Sequence, residues 1–222
     1  MKTLRFPEEH LEKIEACGIV AVLVVDRVAD AVHVADALDG AGIGVIELTL
    51  RTPSALESLS AIKRAHPHLL VGAGTVLAPA QVAQVLNAGA DFAVAPGCNP
   101  RVLAKAAESG LPFAPGIATP SDIEAALEHG CNLLKFFPAE PSGGLAYLKT
   151  MAAPYAHLGL RFIPLGGITE ATAGRYLSEP AVAALGGSWI APRELIEARD
   201  WGAIGQRAAS AMAIVRGIRP SI

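Results

Sequence analysis

The stretch "LLVGAGTVLAPAQVAQVLNAGA", residues 69–90, contains one complete strand-and-helix unit. Residues 69–76 are an apolar run of strand length. The segment from Pro79 onward is amphipathic and reaches a glycine near its end, as helices often do. Strand-length runs that alternate with helical segments are typical of a parallel sheet covered by helices. This unit therefore predicts an α/β protein.

The same alternation recurs along the chain, and it predicts a closed (β/α)8 TIM barrel with an extra N-terminal helix at about residues 8–17. An open doubly wound sheet is the alternative, but its first strand usually leads into G-x-G-x-x-G, whereas here it leads into "VVDRVAD". No linker or low-complexity tract interrupts the pattern, so we expect one domain over residues 1–222. The eight apolar runs are 18–25, 45–50, 69–76, 92–96, 112–117, 133–138, 161–167 and 182–190.

Composition narrows the class of protein. The chain is 52% hydrophobic but only 5% aromatic, as expected for strands that are apolar on both faces. A net charge of −3 gives no electrostatic reason to expect nucleic acid or an anionic membrane as partner. No apolar run approaches the length that spans a bilayer. Three separated cysteines without zinc spacing suggest a reducing, cytoplasmic setting, and a mean hydropathy of +0.41 suggests a homo-oligomer.

Polar side chains interrupt the strands where a barrel enzyme has its active site, near the carboxyl ends. Lys135 lies inside "NLLKFFPAE", residues 132–140, and Glu47 and Arg51 share one face of their strand by alternation. Ala73 and Thr75 share a face of the third strand. If these polar sets point inward, then Lys135, Glu47, Arg51 and Thr75 converge in one pocket.

Each of these residues also has a purely structural explanation. A strand lysine is often ion-paired, and Glu47 is an obvious partner for Lys135. Arg51 could cap a turn, and Thr75 is an ordinary β-branched strand residue. Together, however, a lysine, a carboxylate, a cation and a hydroxyl in an apolar barrel favour carbonyl chemistry through a Schiff base.

Two glycine pairs follow the last strands, in "PLGGI" (164–168) and "LGGSWI" (185–190). Glycines there expose backbone N–H groups where helices begin, and many barrels bind phosphate at this position. The structural alternative is that the glycines only turn tight corners. The presence of both pairs favours a phosphate site.

Other motifs do not indicate a site. "HPH" (66–68) is interpreted as a surface loop far from other ligands, and His33 with Asp36 as a solvated helix face. "GAGT" (72–75) is too short for a dinucleotide site. We find no metal-binding motif, so we expect neither a metal nor a cofactor.

Seven motifs taken together resemble, in order and spacing, the 2-keto-3-deoxy-6-phosphogluconate (KDPG) aldolase family, also described as 4-hydroxy-2-oxoglutarate (KHG) aldolases. The similarity covers about residues 10–215. It implies a metal-free class I aldolase on a (β/α)8 barrel that assembles as a homotrimer and acts on a phosphorylated 2-keto acid. The motifs are "VIELTLRTPSAL", "VGAGTVL", "FAVAPGCNP", "FAPGIATPSDI", "LLKFFPAE", "PLGGI" and "GGSWI".

The resemblance also implies roles for individual residues. Lys135 would be the Schiff-base nucleophile, and Glu47 would shuttle protons with a water. Arg51 and Thr75 would hold the pyruvyl carboxylate and neighbouring oxygens. Two residues would form the wall of the pyruvyl pocket, Pro96 and Phe137. Four would receive the phosphate: Gly166, Gly167, Gly187 and Ser188.

Two positions depart from the family pattern. Many members have threonine where this chain has Leu165, and strand 18–25 lacks both the proline and the arginine that mark two branches of the family. The expected reaction is cleavage of KDPG to pyruvate and glyceraldehyde 3-phosphate. The alternatives are KHG, the phosphogalactonate analogue, or a barrel that binds a phosphorylated metabolite without chemistry. A metal-dependent aldolase would lack ligands.

Overall fold

The computed structural model of the protein describes residues 3–220, which fold as a barrel of parallel strands surrounded by helices. The strands of this part of the chain are β1 Ile19–Leu23, β2 Val45–Thr49, β3 Leu70–Gly74, β4 Phe92–Val94, β5 Phe113–Ala114, β6 Gly116–Ile117, β7 Leu133–Phe136, β8 Arg161–Pro164 and β9 Leu185–Gly187.

The helices lie between the strands and around the outside of the barrel. They are α1 Glu8–Cys17, α2 Val28–Gly40, α3 Ala55–Ala65, α4 Pro79–Asn87, α5 Pro100–Ser109, α6 Pro120–Glu128, α7 Gly144–Ala152, α8 Glu170–Leu177, α9 Arg193–Glu197 and α10 Trp201–Ile218, with a 3₁₀ helix at Ala153–Leu158. The predicted N-terminal helix is confirmed as α1. Among residues 3–220, we find no helix with the length and apolarity needed to cross a bilayer.

The strands form a ring in two hydrogen-bonded sheets. One has the order β5-β4-β3-β2-β1-β9, and the other has the order β6-β7-β8. The first strand pairs with the last, with Ile19 opposite Leu185. Parallel bridges close the gap between β8 and β9, one of them joining Leu165 to Gly186. The predicted (β/α)8 barrel is therefore confirmed.

The fifth predicted strand, residues 112–117, is divided in two, which corrects the expectation of one continuous run. Phe113–Ala114 pairs with β4, whereas Gly116–Ile117 pairs with β7. Pro115 separates the two pieces, and a proline has no N–H to donate to a ladder. Its carbonyl still accepts from the Lys135 N–H at 2.8 Å, so the chain passes from one sheet to the other without losing the ring.

Side-chain caps mark the start of α5 and α6, and they hold the short loops that lead into these helices at the carboxyl end of the barrel. The Asn99 side chain accepts a hydrogen bond from the Arg101 N–H at 3.0 Å, and Pro100 occupies the first turn of α5. Thr119 and Asp122 form a reciprocal capping box at the start of α6. Caps of this kind satisfy backbone donors that the first turn leaves unpaired.

The opposite end of the barrel is closed by the N-terminal segment. Phe6 is buried, and its ring centroid lies 6.0 Å from that of Phe92. Its backbone N–H donates to Asn132 Oδ1 at 2.8 Å. The barrel interior is therefore packed at the amino ends of the strands, and the polar side chains lie towards the carboxyl ends.

Candidate active site

A lysine and a glutamate that are 88 residues apart in sequence contact each other inside the barrel. Lys135 Nζ on β7 lies 2.9 Å from Glu47 Oε1 and 3.1 Å from Oε2 on β2. Both side chains are almost fully buried, with 7% and 4% of their surface exposed. Removing one partner of such a pair typically costs about 3–5 kcal/mol, because the other charge is left buried alone.

Glycines on neighbouring strands make room for this pair. Glu47 lies opposite Gly72 in the β2–β3 register, and Thr49 opposite Gly74. A Cβ at Gly74 would overlap the Glu47 carboxylate, and a Cβ at Gly72 would overlap the Phe92 ring. The absence of side chains at two inward positions of β3 thus leaves space that the carboxylate and the ring occupy.

An aromatic ring lies next to the lysine. The Phe137 ring centroid is 5.7 Å from Lys135 Nζ. Gly116 pairs with Lys135 across β6 and β7, and a Cβ at Gly116 would overlap the carbonyl of Pro96. Phe137 is therefore adjacent to the amine, and Pro96 lies beside the strand that pairs with the lysine strand.

Arg51 is exposed and lies beside the same inward face. Its Nε donates to Thr49 Oγ1 at 3.3 Å, and Thr49 in turn donates to the Leu23 carbonyl at 2.9 Å. Thr49 was not among the predicted site residues. The alternation that selected Glu47 and Arg51 also places Thr49 between them, so the same signal would have found it.

Ala73 is not on the inward face of β3, and Thr75 lies beyond the end of that strand. Ala73 lies opposite Leu48, on the face away from Glu47. Thr75 follows the end of β3 with a φ of 61°, a left-handed conformation that few residues other than glycine adopt. Strand alternation therefore does not extend to Thr75.

The two glycine pairs occupy adjacent positions at the carboxyl end of the barrel. Gly166 and Gly167 have φ values of 104° and 80°, in the loop before α8. Gly186 and Gly187 belong to β9, and Ser188 follows them exposed to solvent. The Leu165 side chain fills the space that a Cβ at Gly186 would take. Leu165 thus lies between the lysine strand and the second glycine pair.

A carboxylate that sequence reasoning missed lies next to the first glycine pair. Glu140 accepts a hydrogen bond from the Tyr176 hydroxyl, and its Cβ lies 2.8 Å from where a Cβ of Gly167 would be. The long separation of Glu140 and Tyr176 in sequence left no local signal for this contact. Burial, followed by the nearby carboxylate, raises the pKa of Tyr176 well above its ordinary value, so the hydroxyl stays protonated as the donor.

A thiol near the barrel mouth is held in its protonated form. Cys98, two residues after Pro96, is half-buried, and burial followed by the charge of Asp122 raises its pKa to about 11. Only the thiolate is nucleophilic. Cys98 is therefore a poor competitor for an electrophilic carbonyl at neutral pH.

The interpretation of residues 66–68 as remote from other ligands is wrong. His68 Nε2 lies 2.9 Å from Asp39 Oδ2, at the end of the barrel opposite the lysine. The interpretation of His33 and Asp36 as solvated is confirmed, with 60% and 55% of their side chains exposed.

A (β/α)8 barrel with a buried lysine and carboxylate at the carboxyl ends of its strands has the groups that a Schiff-base enzyme needs. A protein-family model described as KDPG and KHG aldolase matches residues 11–207. The chain belongs to this family, and the protein is a class I aldolase, a carbon–carbon lyase.

Individual relatives agree with the family assignment. A 2-dehydro-3-deoxy-phosphogluconate aldolase of Treponema pallidum is 44% identical over 87% of this chain and 91% of its own. The structure of a Legionella pneumophila KDPG aldolase, with pyruvate captured as a covalent carbinolamine, superposes with a TM-score of 0.86 at 37% identity, covering 90% of this chain and 97% of its own. A Zymomonas mobilis KDPG aldolase structure with 3-phosphoglycerate also has a TM-score of 0.86 at 37% identity, covering 94% and 97%.

Proposed function

We propose that this aldolase cleaves KDPG to pyruvate and glyceraldehyde 3-phosphate through an imine on Lys135. The observation that carries the proposal is the buried contact of 2.9 Å between Lys135 Nζ and Glu47 Oε1. A neutral amine is needed to attack a ketone, and a carboxylate in hydrogen-bond contact can take the proton that the ammonium must lose. The carbinolamine of pyruvate in the Legionella relative supports the same chemistry here.

The reaction then follows in balanced steps. Neutral Lys135 adds to the C2 ketone to give a carbinolamine. Glu47 returns the proton that it took from the ammonium to the C2 hydroxyl, which leaves as water and gives an iminium ion. Glu47, acting through a water, removes the proton of the C4 hydroxyl, and the C3–C4 electrons move into the iminium as glyceraldehyde 3-phosphate leaves. The remaining enamine is protonated at C3, and water hydrolyses the new iminium to release pyruvate and free Lys135.

The other predicted residues would bind the two ends of the substrate. Arg51 and Thr75 hold the pyruvyl carboxylate in this proposal, and Arg51 is supported by its position beside Thr49 on the face that carries Glu47. Pro96 and Phe137 shape the pocket around the lysine.

The phosphate end of the substrate is assigned to the glycine pairs. Gly166, Gly167, Gly187 and Ser188 receive the phosphate. The bridge between Leu165 and Gly186 supports this assignment, because it brings the two glycine pairs side by side. The 3-phosphoglycerate in the Zymomonas relative shows that a family member accommodates a phosphorylated three-carbon compound.

The proposal extends to assembly and setting. Residues 1–222 form one domain, which assembles as a homotrimer. The high mean hydropathy of +0.41 supports association, and sedimentation at the mass of one 22.9 kDa chain would refute it. Three free cysteines, Cys17, Cys98 and Cys131, fit a reducing cytoplasm.

Borohydride reduction in the presence of pyruvate tests the chemistry directly. The imine should be reduced irreversibly, and peptide mapping should place the adduct on Lys135 alone. Lys135→Arg keeps the positive charge but cannot form the imine, since a guanidinium stays protonated. This variant should lose both labelling and cleavage. An unlabelled wild-type chain, or a cleaving Lys135→Arg variant, would contradict the proposal and favour a barrel that only binds a metabolite.

A further inference from the structure

Three potential metal ligands converge at the amino end of the barrel, away from the lysine. Asp39 belongs to the last turn of α2, and His66 and His68 lie in the loop between α3 and β3. Asp39 Oδ2 is 2.9 Å from His68 Nε2 and 3.7 Å from His66 Nδ1. One ligand atom from each residue lies within 4.8 Å of those of the other two.

Two carboxylates of α2 contact the histidines of this cluster. Within residues 3–220, the ion-pair contacts of Asp36 and Asp39 are all to histidines: His33, His66 and His68. Asp36 and Asp39 are three residues apart on α2, and among the described residues these contacts join two carboxylates to imidazoles and to no lysine or arginine. A divalent cation would balance both carboxylates.

The second ring nitrogen of the buried histidine lies beside a carboxylate. The His66 side chain is 13% exposed, and its Nε2 lies 2.9 Å from Asp36 Oδ1. The contact is not aligned as a hydrogen bond, and this buried nitrogen has no hydrogen-bond partner in the described part of the chain. Metal-bound histidines usually direct their second nitrogen at a carboxylate. A cation on Nδ1 would fix the proton on Nε2, facing Asp36.

We propose that Asp39, His66 and His68 bind a divalent transition-metal cation of the Zn²⁺ type, with Asp36 as the carboxylate that positions His66. Two imidazoles and a carboxylate suit zinc better than magnesium or calcium, which prefer oxygen ligands alone. Zinc bonds of about 2.0–2.1 Å in a tetrahedron place ligand atoms about 3.4 Å apart. The 3.7 Å contact is close to that spacing. The 2.9 Å contact widens when the cation displaces the proton shared by His68 and Asp39.

The cluster lies far from Lys135, so the cation would stabilise the fold and would take no part in the aldol reaction. It would join the end of α2 to the loop before β3, at the amino ends of strands whose carboxyl ends carry the active site. His68 is 61% exposed, which leaves a path for the ion to enter. A cation that binds only the folded chain stabilises it by mass action.

Zinc binding to the full-length, tag-free protein provides the test. After treatment with a chelator and its removal, ZnCl₂ alone is titrated in a calorimeter, and the bound metal is counted by elemental analysis after dialysis. We expect one Zn²⁺ per chain and a higher melting temperature. The double variant His66→Ala, His68→Ala should bind at least about 100-fold more weakly. Asp36→Asn should weaken binding by about 10- to 100-fold, the usual effect of losing an outer carboxylate.

A matched control separates this site from general affinity for surface histidines. His157 is exposed on the 3₁₀ helix, and His157→Ala should bind zinc as the wild type does. Aldolase activity of every variant reports that the barrel is intact. Zinc binding that is unchanged in the double histidine variant, or lost in His157→Ala, would overturn the proposal. So would a wild-type chain that binds less than one zinc, or an aldolase activity that disappears when zinc is removed.

Discussion

The carboxylate of Glu47 occupies the space in which a side chain at position 74 would lie. Gly74 is therefore part of the site although it contributes no functional group. We expect Gly74→Ala to displace the carboxylate from Lys135 and to lower kcat by about 100-fold, since a shift of about 1 Å can have that effect. Steady-state cleavage of KDPG measures the loss. Gly44→Ala is the control, because a Cβ there meets nothing within 4 Å, and equal losses in both variants would contradict this explanation.

Glu47→Gln keeps the shape of the side chain and removes the base. We expect kcat to fall by about 10²–10⁴-fold, the usual contribution of general acid–base catalysis. Some borohydride labelling with pyruvate should remain, because Lys135 can still form the imine slowly. Steady-state cleavage and borohydride labelling, measured on one preparation of the variant, give the two quantities. Full turnover in this variant would assign the proton transfers to another group.

Ser188→Ala tests the phosphate end of the site. A contact made equally in the ground state and the transition state changes KM and leaves kcat alone. We expect KM for KDPG to rise by about two- to tenfold, the effect of one lost hydrogen bond. The exchange of pyruvate protons with solvent, which needs no phosphate, should be unchanged. If both reactions suffer equally, Ser188 has a structural role.

The raised pKa of Cys98 predicts slow alkylation. Its pKa of about 11 means that the thiolate is scarce at pH 8 and becomes abundant only as the pH approaches 11. Iodoacetamide should therefore react about 10-fold more slowly at pH 8 than with a thiol whose pKa is two units lower, because the scarcer thiolate outweighs its higher nucleophilicity. Mass spectrometry over a pH series gives the rate at this residue. A rate at pH 8 equal to that of free cysteine would show that the thiol is not shielded.

Strand alternation was enough to predict that Glu47 and Lys135 face the same interior, because in a barrel every second residue points inward. It failed at Thr75, where a left-handed backbone ends the strand. The division of the fifth strand at Pro115 also escaped the apolar pattern, which reports burial and not hydrogen bonding. In both cases the deciding factor was the backbone conformation, which hydrophobic periodicity does not reveal.

The cluster at Asp39 shows a different limit. His68 and Asp39 are 29 residues apart, and their contact depends on how the end of α2 meets the loop after α3. Sequence motifs for metal sites depend on a fixed spacing between the ligands. They cannot predict ligands from two separate elements that only the packing of neighbouring helices brings together. The glycines of β3 could not be predicted for the same reason. Each leaves space for a side chain of an adjacent strand, Glu47 at Gly74 and Phe92 at Gly72.

The pairing of β1 with β9 has a consequence for how the protein is made. Ile19 finds its partner Leu185 only after the ribosome has added the residues between them, which takes about 10–30 s at ordinary synthesis rates. During that time one edge of β1 has no neighbouring strand, and such an edge can pair with the wrong chain. The barrel therefore stays open at this edge of β1 until the last strand has left the exit tunnel.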